Sequence, residues 1–188
     1  MIKLRHLTED DLEKVLNWRT SEHVTKYMFS DIEYNLDKQK EWLYKNKTDP
    51  NKQTWMIVYN DFDIGVISLS DIDLINKRCF FGYYVGEISM RGKGLARHLL
   101  CNIQDYVFDN LQMNKLCGDI FAFNEIALKV RKKYGSEIEG VFKQHIYKNG
   151  QFHDVLRMAI LKEKWLSIRE EYNYEQINIE SFEQIGEK

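Results

Sequence analysis

Between Cys79 and Phe123 the chain passes through a β-rich run, a basic glycine loop, an amphipathic stretch and a second β-rich run. This succession constrains the fold more than any other feature. Cys79-Phe-Phe-Gly-Tyr-Tyr-Val85 has the aromatic and β-branched content of a strand. From Gly94 to Asn110, and on to Leu111, the residues Leu95, Leu99, Leu100, Ile103, Tyr106 and Val107 share one helical face, so this helix should cover a sheet. Lys115 to Phe123 then reads as another strand. Strand, helix and strand in that order form a crossover unit, which sets the two strands parallel.

The other strands are expected to pair antiparallel around this unit. Ile2 to Leu7 opens the chain as a strand, and Thr8 with Asp11 gives an N-cap pattern and an acidic first turn before Leu12, Val15, Leu16 and Arg19 recur at helical spacing. A second helix is predicted from Leu36 to Lys45. Trp55-Met-Ile-Val-Tyr59 and Ile64-Gly-Val-Ile-Ser-Leu69 form a hairpin across Asn60-Asp-Phe-Asp63. Glu125 to Tyr134 is expected to be helical, and Glu139 to Tyr147 with Gln151 to Leu161 flank Asn149-Gly150, the signal of a type I′ hairpin turn. The expected class is α/β (α+β): a mixed, mainly antiparallel sheet of six or seven strands with helices on both faces.

At 188 residues and 44% apolar content, one domain of ordinary size is expected, spanning residues 1–163. Residues 164–188 form a charged tail, read as a helical extension in which Trp165, Ile168 and Tyr172 could pack onto the domain. With 27 Lys and Arg against 29 Asp and Glu there is no basic surplus to attract nucleic acid. The N-terminal segment lacks the apolar stretch of a signal peptide and no run is long enough to span a membrane, so a cytoplasmic location is expected. Cys79, Cys101 and Cys117 are widely spaced within apolar patterns, as buried reduced thiols would be, and no metal site is expected. His6, His23, His98, His145 and His153 show no ligand spacing.

The loop Ser89-Met-Arg-Gly-Lys-Gly-Leu-Ala96 is the most informative segment for function. Glycines let successive N–H groups converge on an anion, the following helix adds unpaired N-terminal donors, and Arg91 and Lys93 add positive charge. An ordinary surface turn is the competing local account. The loop has neither the Lys-Ser/Thr ending of a P-loop nor the three-glycine spacing of a dinucleotide fingerprint.

Arg91-x-x-Gly94-x-Ala96 resembles the acetyl-CoA signature of the GNAT acetyltransferase superfamily, Arg/Gln-x-x-Gly-x-Gly/Ala. Asn124-x-x-Ala127 with Lys133-x-Gly135 resembles the second motif of that superfamily, and Glu139-Gly140 with Asp154 resembles its C-terminal hairpin. Within it, Asn17-Trp-Arg19, Phe81-Gly-Tyr-Tyr84 and Glu139 to Asp154 are similar to two branches, the PseH-type amino-sugar N-acetyltransferases of pseudaminic acid biosynthesis and the RimJ/RimL-type enzymes that modify protein N-termini. The hairpin Val141 to Gly150 leans toward the first.

The resemblance implies acetyl-CoA as cosubstrate and a V-shaped opening beside the strand carrying Tyr84 and Val85. Backbone groups of Tyr83 to Val85 would pair with the pantetheine arm, and Arg91, Gly92, Lys93, Gly94, Leu95 and Ala96 would hold the pyrophosphate. Asn124 would bond near the thiol end, with Lys129 and Arg131 available to CoA phosphates. The chemistry needs alignment, loss of an amine proton and oxyanion stabilisation. Val85 N–H is the implied oxyanion donor, and Glu87 and His145 are candidate proton acceptors. GNAT enzymes often place a proton-donating tyrosine seven residues after the motif asparagine, where this chain has Arg131. Tyr134 or Tyr84 could donate instead, or nearby cations could hold the thiolate.

Each of these residues has a plainer reading. Phe80, Phe81, Tyr83, Tyr84 and Trp18 can be core or sheet aromatics, Asn124 can be only a helix N-cap, and Arg19 can pair with an internal carboxylate. Three functions stay open: an amino-sugar nucleotide N-acetyltransferase, a protein or peptide N-acetyltransferase, and a non-catalytic acyl-CoA-binding module. The expected partner is a small-molecule amine, a UDP-linked 4-amino-4,6-dideoxy sugar by resemblance, held by Arg19, Lys26 and Phe29. A homodimer is compatible with the sequence, which does not set the oligomeric state.

Overall fold

A computed structural model describes residues 1–182 of the chain. Eight strands form one sheet in the order β6-β7-β5-β4-β3-β2-β1-β8. They are β1 Ile2–His6, β2 Gln53–Tyr59, β3 Phe62–Asp73, β4 Arg78–Val85, β5 Lys115–Phe121, β6 Glu137–Lys148, β7 Gln151–Leu161 and β8 Asn178–Ile179. Only β4 with β5 and β1 with β8 run parallel; every other pair is antiparallel. The mixed, mainly antiparallel sheet is therefore as expected, with the two-residue β8 as an addition.

Both hairpin turns follow from residue chemistry. Asn60 (φ 48°) and Asp61 (φ 64°) link Tyr59 to Phe62, and Asn149 (φ 52°) and Gly150 (φ 79°) link Lys148 to Gln151. Positive φ at both central positions defines the type I′ turn that fits the twist of a hairpin.

Side-chain alternation along β2 divides the core. Trp55 and Ile57 join Leu99, Leu100, Ile103 and Trp165 on one face, while Met56 and Val58 join Leu12, Val15, Trp18 and Leu43 on the other. The helices α1 Leu12–Thr20, α2 Glu22–Thr25 and α3 Leu36–Thr48 contribute to the second face. Helices α4 Leu95–Asp105 and α6 Lys162–Ile168 cover the first, with α5 Glu125–Lys133 contributing Val130 to it. The sequence reading did not anticipate α2, nor the π turn Tyr106–Asn110 that continues α4.

The tail differs from the helical extension expected for it. Among its described residues only Lys162–Ile168 is α-helical, followed by a single 3₁₀ turn at Arg169–Glu171. The chain then runs extended across α4, where Tyr174 donates to Asp105 at 2.5 Å and Ile177 N–H to Asn102 at 3.0 Å. Trp55 Nε1 donates to the Glu180 carbonyl at 2.7 Å beside β8. Tyr172, Tyr174, Ile177, Ile179 and Phe182 pack on the main core, so the described part of the tail is continuous with the domain. The expected helix beyond residue 182 lies outside the described residues.

Candidate active site

The sheet is split at one place. Ladder pairing between β4 and β5 covers only Arg78–Phe80 against Lys115–Cys117. Strand β4 stays bonded to β3 as far as Val85, and β5 stays bonded to β7 as far as Phe121. The two strands therefore part after Phe80 and Cys117, leaving two free backbone edges. Gly86 N–H turns toward β3 to bond the Ile64 carbonyl at 2.8 Å, so alternation turns the backbone groups of Val85 and Tyr83 to the open side. A cleft of about 500 Å³ fills the split. Phe81 to Tyr84 form one wall, Asp119 to Phe121 the other, and Asn124, Ala127, Val130 and Arg131 of the α5 segment close it.

At the outer end lies the glycine loop. Gly92 and Gly94 both have φ of 75°, and a Cβ at either would meet nothing within 4 Å. Backbone conformation rather than crowding requires glycine there. Gly94 is the N-cap of α4 with no side-chain cap, so the first N–H groups of an eleven-residue helix face the loop. Arg91 does not hang free. Its guanidinium donates to the Val85 carbonyl at 2.9 Å and the His23 carbonyl at 3.2 Å, bracing the end of β4 against α2. Lys93 is exposed, with Nζ 3.4 Å from Met90 Sδ.

Helix α5 presents one face to the cleft. Asn124 Oδ1 caps the helix by accepting from Ala127 N–H at 3.2 Å, and Asn124, Ala127 and Arg131 then follow at helical spacing. Arg131 is 5% exposed, its Nε and Nη2 have no hydrogen-bond partner, and burial pushes its pKa down to about 10. Its guanidinium lies 4.6 Å from the centroid of the Phe81 ring. On the opposite wall the Tyr84 hydroxyl is also buried without a partner, and burial raises its pKa. Arg19 stands behind it: Nη1 is unpartnered, Nη2 reaches Ser30 at 3.3 Å, and burial lowers its pKa while Tyr84 and Asp31 favour its charge. Four of the six orphaned polar atoms among the described residues thus belong to Arg19, Tyr84 and Arg131, at or directly behind the cleft wall. Buried polar groups are normally bonded, so a ligand is the natural partner for this set.

The open end of the split, where β5 ends at Phe121, is aromatic. Tyr27 and Phe29 line it from the loop after α2, and Phe29 meets Phe121 edge-on at 4.8 Å. His153 of β7 packs edge-on against Phe121 at 5.5 Å. Lys148, buried at the end of β6, bonds Asp31 across the mouth, and this contact joins the hairpin to the loop. The carboxylate lining the cleft, Asp119, is held by Arg157 through two bonds of 2.8 and 2.7 Å.

Several residues singled out from sequence are not at the cleft. Glu87 accepts from Trp18 Nε1 at 3.0 Å and is absent from the lining, because Gly86 beside it is pressed against the Trp18 ring. Tyr134 follows the last residue of α5 with non-helical dihedrals and turns into the core, 5.3 Å from Tyr172. Lys129 lies on the solvent face of α5 and pairs with Glu125 at 3.4 Å. Lys26 is exposed, 5.0 Å from the Tyr27 ring, and His145 stacks on Phe142 in the exposed part of β6. Phe121 and Gly118 are not singled out by the sequence. Gly118 carries a usable signal, since glycine inside a strand marks a close approach.

The groups present suit acetyl-CoA. A free strand edge can pair with the amides of the pantetheine arm, a positive-φ glycine loop before a helix can take the diphosphate, and a buried cation waits at the inner end. Among the described residues no group of three His, Cys, Asp or Glu could hold a metal ion, and no helix is long and apolar enough to cross a membrane.

Comparison with known proteins agrees. Spermidine N(1)-acetyltransferase of Escherichia coli K12 is 27% identical over 166 residues, covering 88% of this chain and 89% of that protein. Acetyltransferase PseH of Campylobacter jejuni (strain 81-176) is 30% identical over 136 residues, covering 69% of this chain and 81% of that protein. The crystal structure of spermidine N-acetyltransferase from Vibrio cholerae in complex with CoA and spermine superposes with a TM-score of 0.82 at 26% identity, over 88% of this chain and 98% of that one. The family profile of the acetyltransferase (GNAT) domain matches residues 2–137. The chain belongs to the GNAT family of acetyl-CoA-dependent N-acetyltransferases.

Proposed function

We propose that this N-acetyltransferase acts on the amine of an anionic, ring-bearing small molecule, a nucleotide-linked 4-amino-4,6-dideoxy sugar. One observation carries the reading. On the acceptor side Arg19 stands behind Tyr84 with Nη1 unpartnered, whereas the one lining carboxylate of the cleft, Asp119, is neutralised by Arg157. A polycation entering such a site would meet uncompensated positive charge. A nucleotide diphosphate would meet a cation able to grip it in Arg19, and Tyr27, Phe29 and Phe121 offer faces and edges to a base or sugar ring.

The residues divide the work by position. The Tyr83 to Val85 edge pairs with and aligns the pantetheine arm that carries the thioester inward. An amine on a substituted sugar ring is less basic than a lysine, so more of it is neutral near pH 7 and the demand on a protein base is modest. That suits a cleft in which Glu87 is tied to Trp18.

A polyamine acceptor is the second reading. It is favoured by relatives matched over 88% of the chain that act on spermidine. Purified protein with saturating acetyl-CoA, assayed for thiol release against UDP-linked amino sugars, spermidine and alanine- or serine-ended peptides, separates the readings. The proposal expects the sugar nucleotides to give kcat/KM at least about 100-fold above spermidine. A polyamine or peptide preference would replace it.

A further inference from the structure

The inner end of the cleft holds a charge that the fold leaves unanswered. Phe80 and Cys117 make the last ladder pair between β4 and β5, so Phe81 and Gly118 are the first residues beyond the vertex of the split. The Arg131 guanidinium sits there. It lies 4.6 Å from the Phe81 ring centroid, and a Cβ added to Gly118 would fall 2.5 Å from its Nη2. Any other residue at 118 would have to push this group away. The nearby titratable groups are the Tyr83 phenol and the Cys117 thiol; burial raises both, which keeps them neutral. Asp119, the next residue on β5, is already engaged by Arg157. A buried ion without a partner costs several kcal/mol, so a fold that keeps one at the end of a ligand cleft has kept it for an anion.

The route along the cleft says which anion. A donor whose diphosphate rests on the loop at Gly92 to Gly94 and whose arm follows the free edge from Val85 to Phe81 covers four strand intervals, about 13 Å. Its last atoms, the thioester, then arrive at the vertex. We propose that Arg131 is a catalytic residue that holds the negative charge of the departing thiolate, and that Gly118 is the positioning residue that gives it room. This rests on the acetyl-CoA reading of the cleft and holds whichever amine is the acceptor.

The step balances without a proton donor from the protein. The substrate ammonium gives up one proton, and its nitrogen bonds to the acetyl carbon. A second proton leaves the nitrogen, the carbon–sulfur bond breaks, and its electron pair stays on sulfur. Ammonium and thioester thus become amide and thiolate, and both protons pass to solvent water in the open cleft. The thiolate is met by the guanidinium and takes a proton from water after release.

The test reads the bound thiol directly and needs no acceptor. CoA bound to the protein is titrated by its ultraviolet thiolate absorbance, with the desulfo-CoA complex as the blank and binding checked by calorimetry. In the unaltered protein the bound thiol should titrate at least about one pH unit below free CoA, a tenfold gain in thiolate at a given pH. Arg131→Gln should return it to the free value or above, and Arg131→Lys, which keeps the charge, should fall between. Gly118→Ala should move it toward the free value although the arginine remains. A bound thiol that titrates like free CoA in the unaltered protein, or identically in the unaltered and Gln proteins, would overturn the proposal. Failure of the unaltered protein to bind CoA would strike the cofactor reading beneath it.

Discussion

The donor and acceptor parts of the cleft are built in different ways. The donor part is main chain: a free strand edge at Tyr83 to Val85, two positive-φ glycines and the start of α4, all within Tyr83 to Ala96. The proposed acceptor mouth is side chain: Tyr27 and Phe29 from the loop after α2, Phe121 from β5, His153 from β7, and the Lys148–Asp31 link between residues 117 apart. A donor common to a whole family can be gripped by backbone, which few substitutions alter. An acceptor that differs from enzyme to enzyme is recognised by side chains that substitution can exchange. Relatives named for spermidine and for the PseH reaction can therefore both match this chain.

The contrast can be broken most severely in the donor part. Gly94→Glu should weaken CoA binding at least about 100-fold by calorimetry, because it forces a side chain into left-handed backbone and sets a negative charge in the anion cradle. Its thermal midpoint should fall only slightly, since a Cβ there meets nothing within 4 Å. Undiminished CoA affinity would remove the loop from the site.

At the acceptor mouth the effects should be smaller and confined to one substrate. Arg19→Gln removes a half-satisfied cation, and the loss of a charge-assisted contact, about 1.5–3 kcal/mol, should raise the acceptor KM by roughly 10- to 100-fold while sparing that for acetyl-CoA. Equal changes in both constants would show that the two parts are not separable. Phe29→Ala removes an exposed ring from the mouth; aromatic pairing worth about 0.5–1.5 kcal/mol implies an acceptor KM raised about two- to tenfold. No change would leave Phe29 outside the acceptor site.

The smallest effect concerns pH. Hydrogen bonds from Lys148 and Thr25 hold the Asp31 carboxylate below the usual range. A carboxylate with a depressed value keeps its stabilising contact at all pH above the ordinary figure of about 3.9 and loses it as pH falls through the depressed one. The mouth should therefore stay linked throughout pH 5–8. Lys148→Gln should raise the acceptor KM a few-fold, equally at pH 5 and pH 8, and a variant effect confined to one end of that range would assign the link to another group.

The same division explains what was legible in the sequence. The strand, loop, helix and strand from Cys79 to Phe121 could be read because periodicity and glycine placement are local signals, and the Asn149-Gly150 turn likewise. The aromatic mouth could not be assembled, since nothing in the chain says that residue 29 meets residue 121. Glu87 looked available as a base because sequence does not show the Trp18 ring across its backbone. Tyr134 is seven residues beyond Ala127 and would share its helical face if α5 continued, but the helix stops at Lys133 and turns it inward. Arg91 stood out as a phosphate ligand by its charge, whereas its contacts are to the carbonyls of Val85 and His23. The tail was readable only as far as Ile168, because β8 is two residues long and owes its conformation to β1 and Trp55.

Calorimetric titration of the CoA-saturated protein tests most directly whether the mouth of this cleft selects an anionic ring-bearing amine over a polycation, as proposed. A UDP-linked 4-amino-4,6-dideoxy sugar should bind with a Kd at least about 100-fold lower than that of spermidine, with the preference shrinking as salt is raised. Spermidine binding more tightly than the sugar nucleotide at every salt concentration would contradict the account.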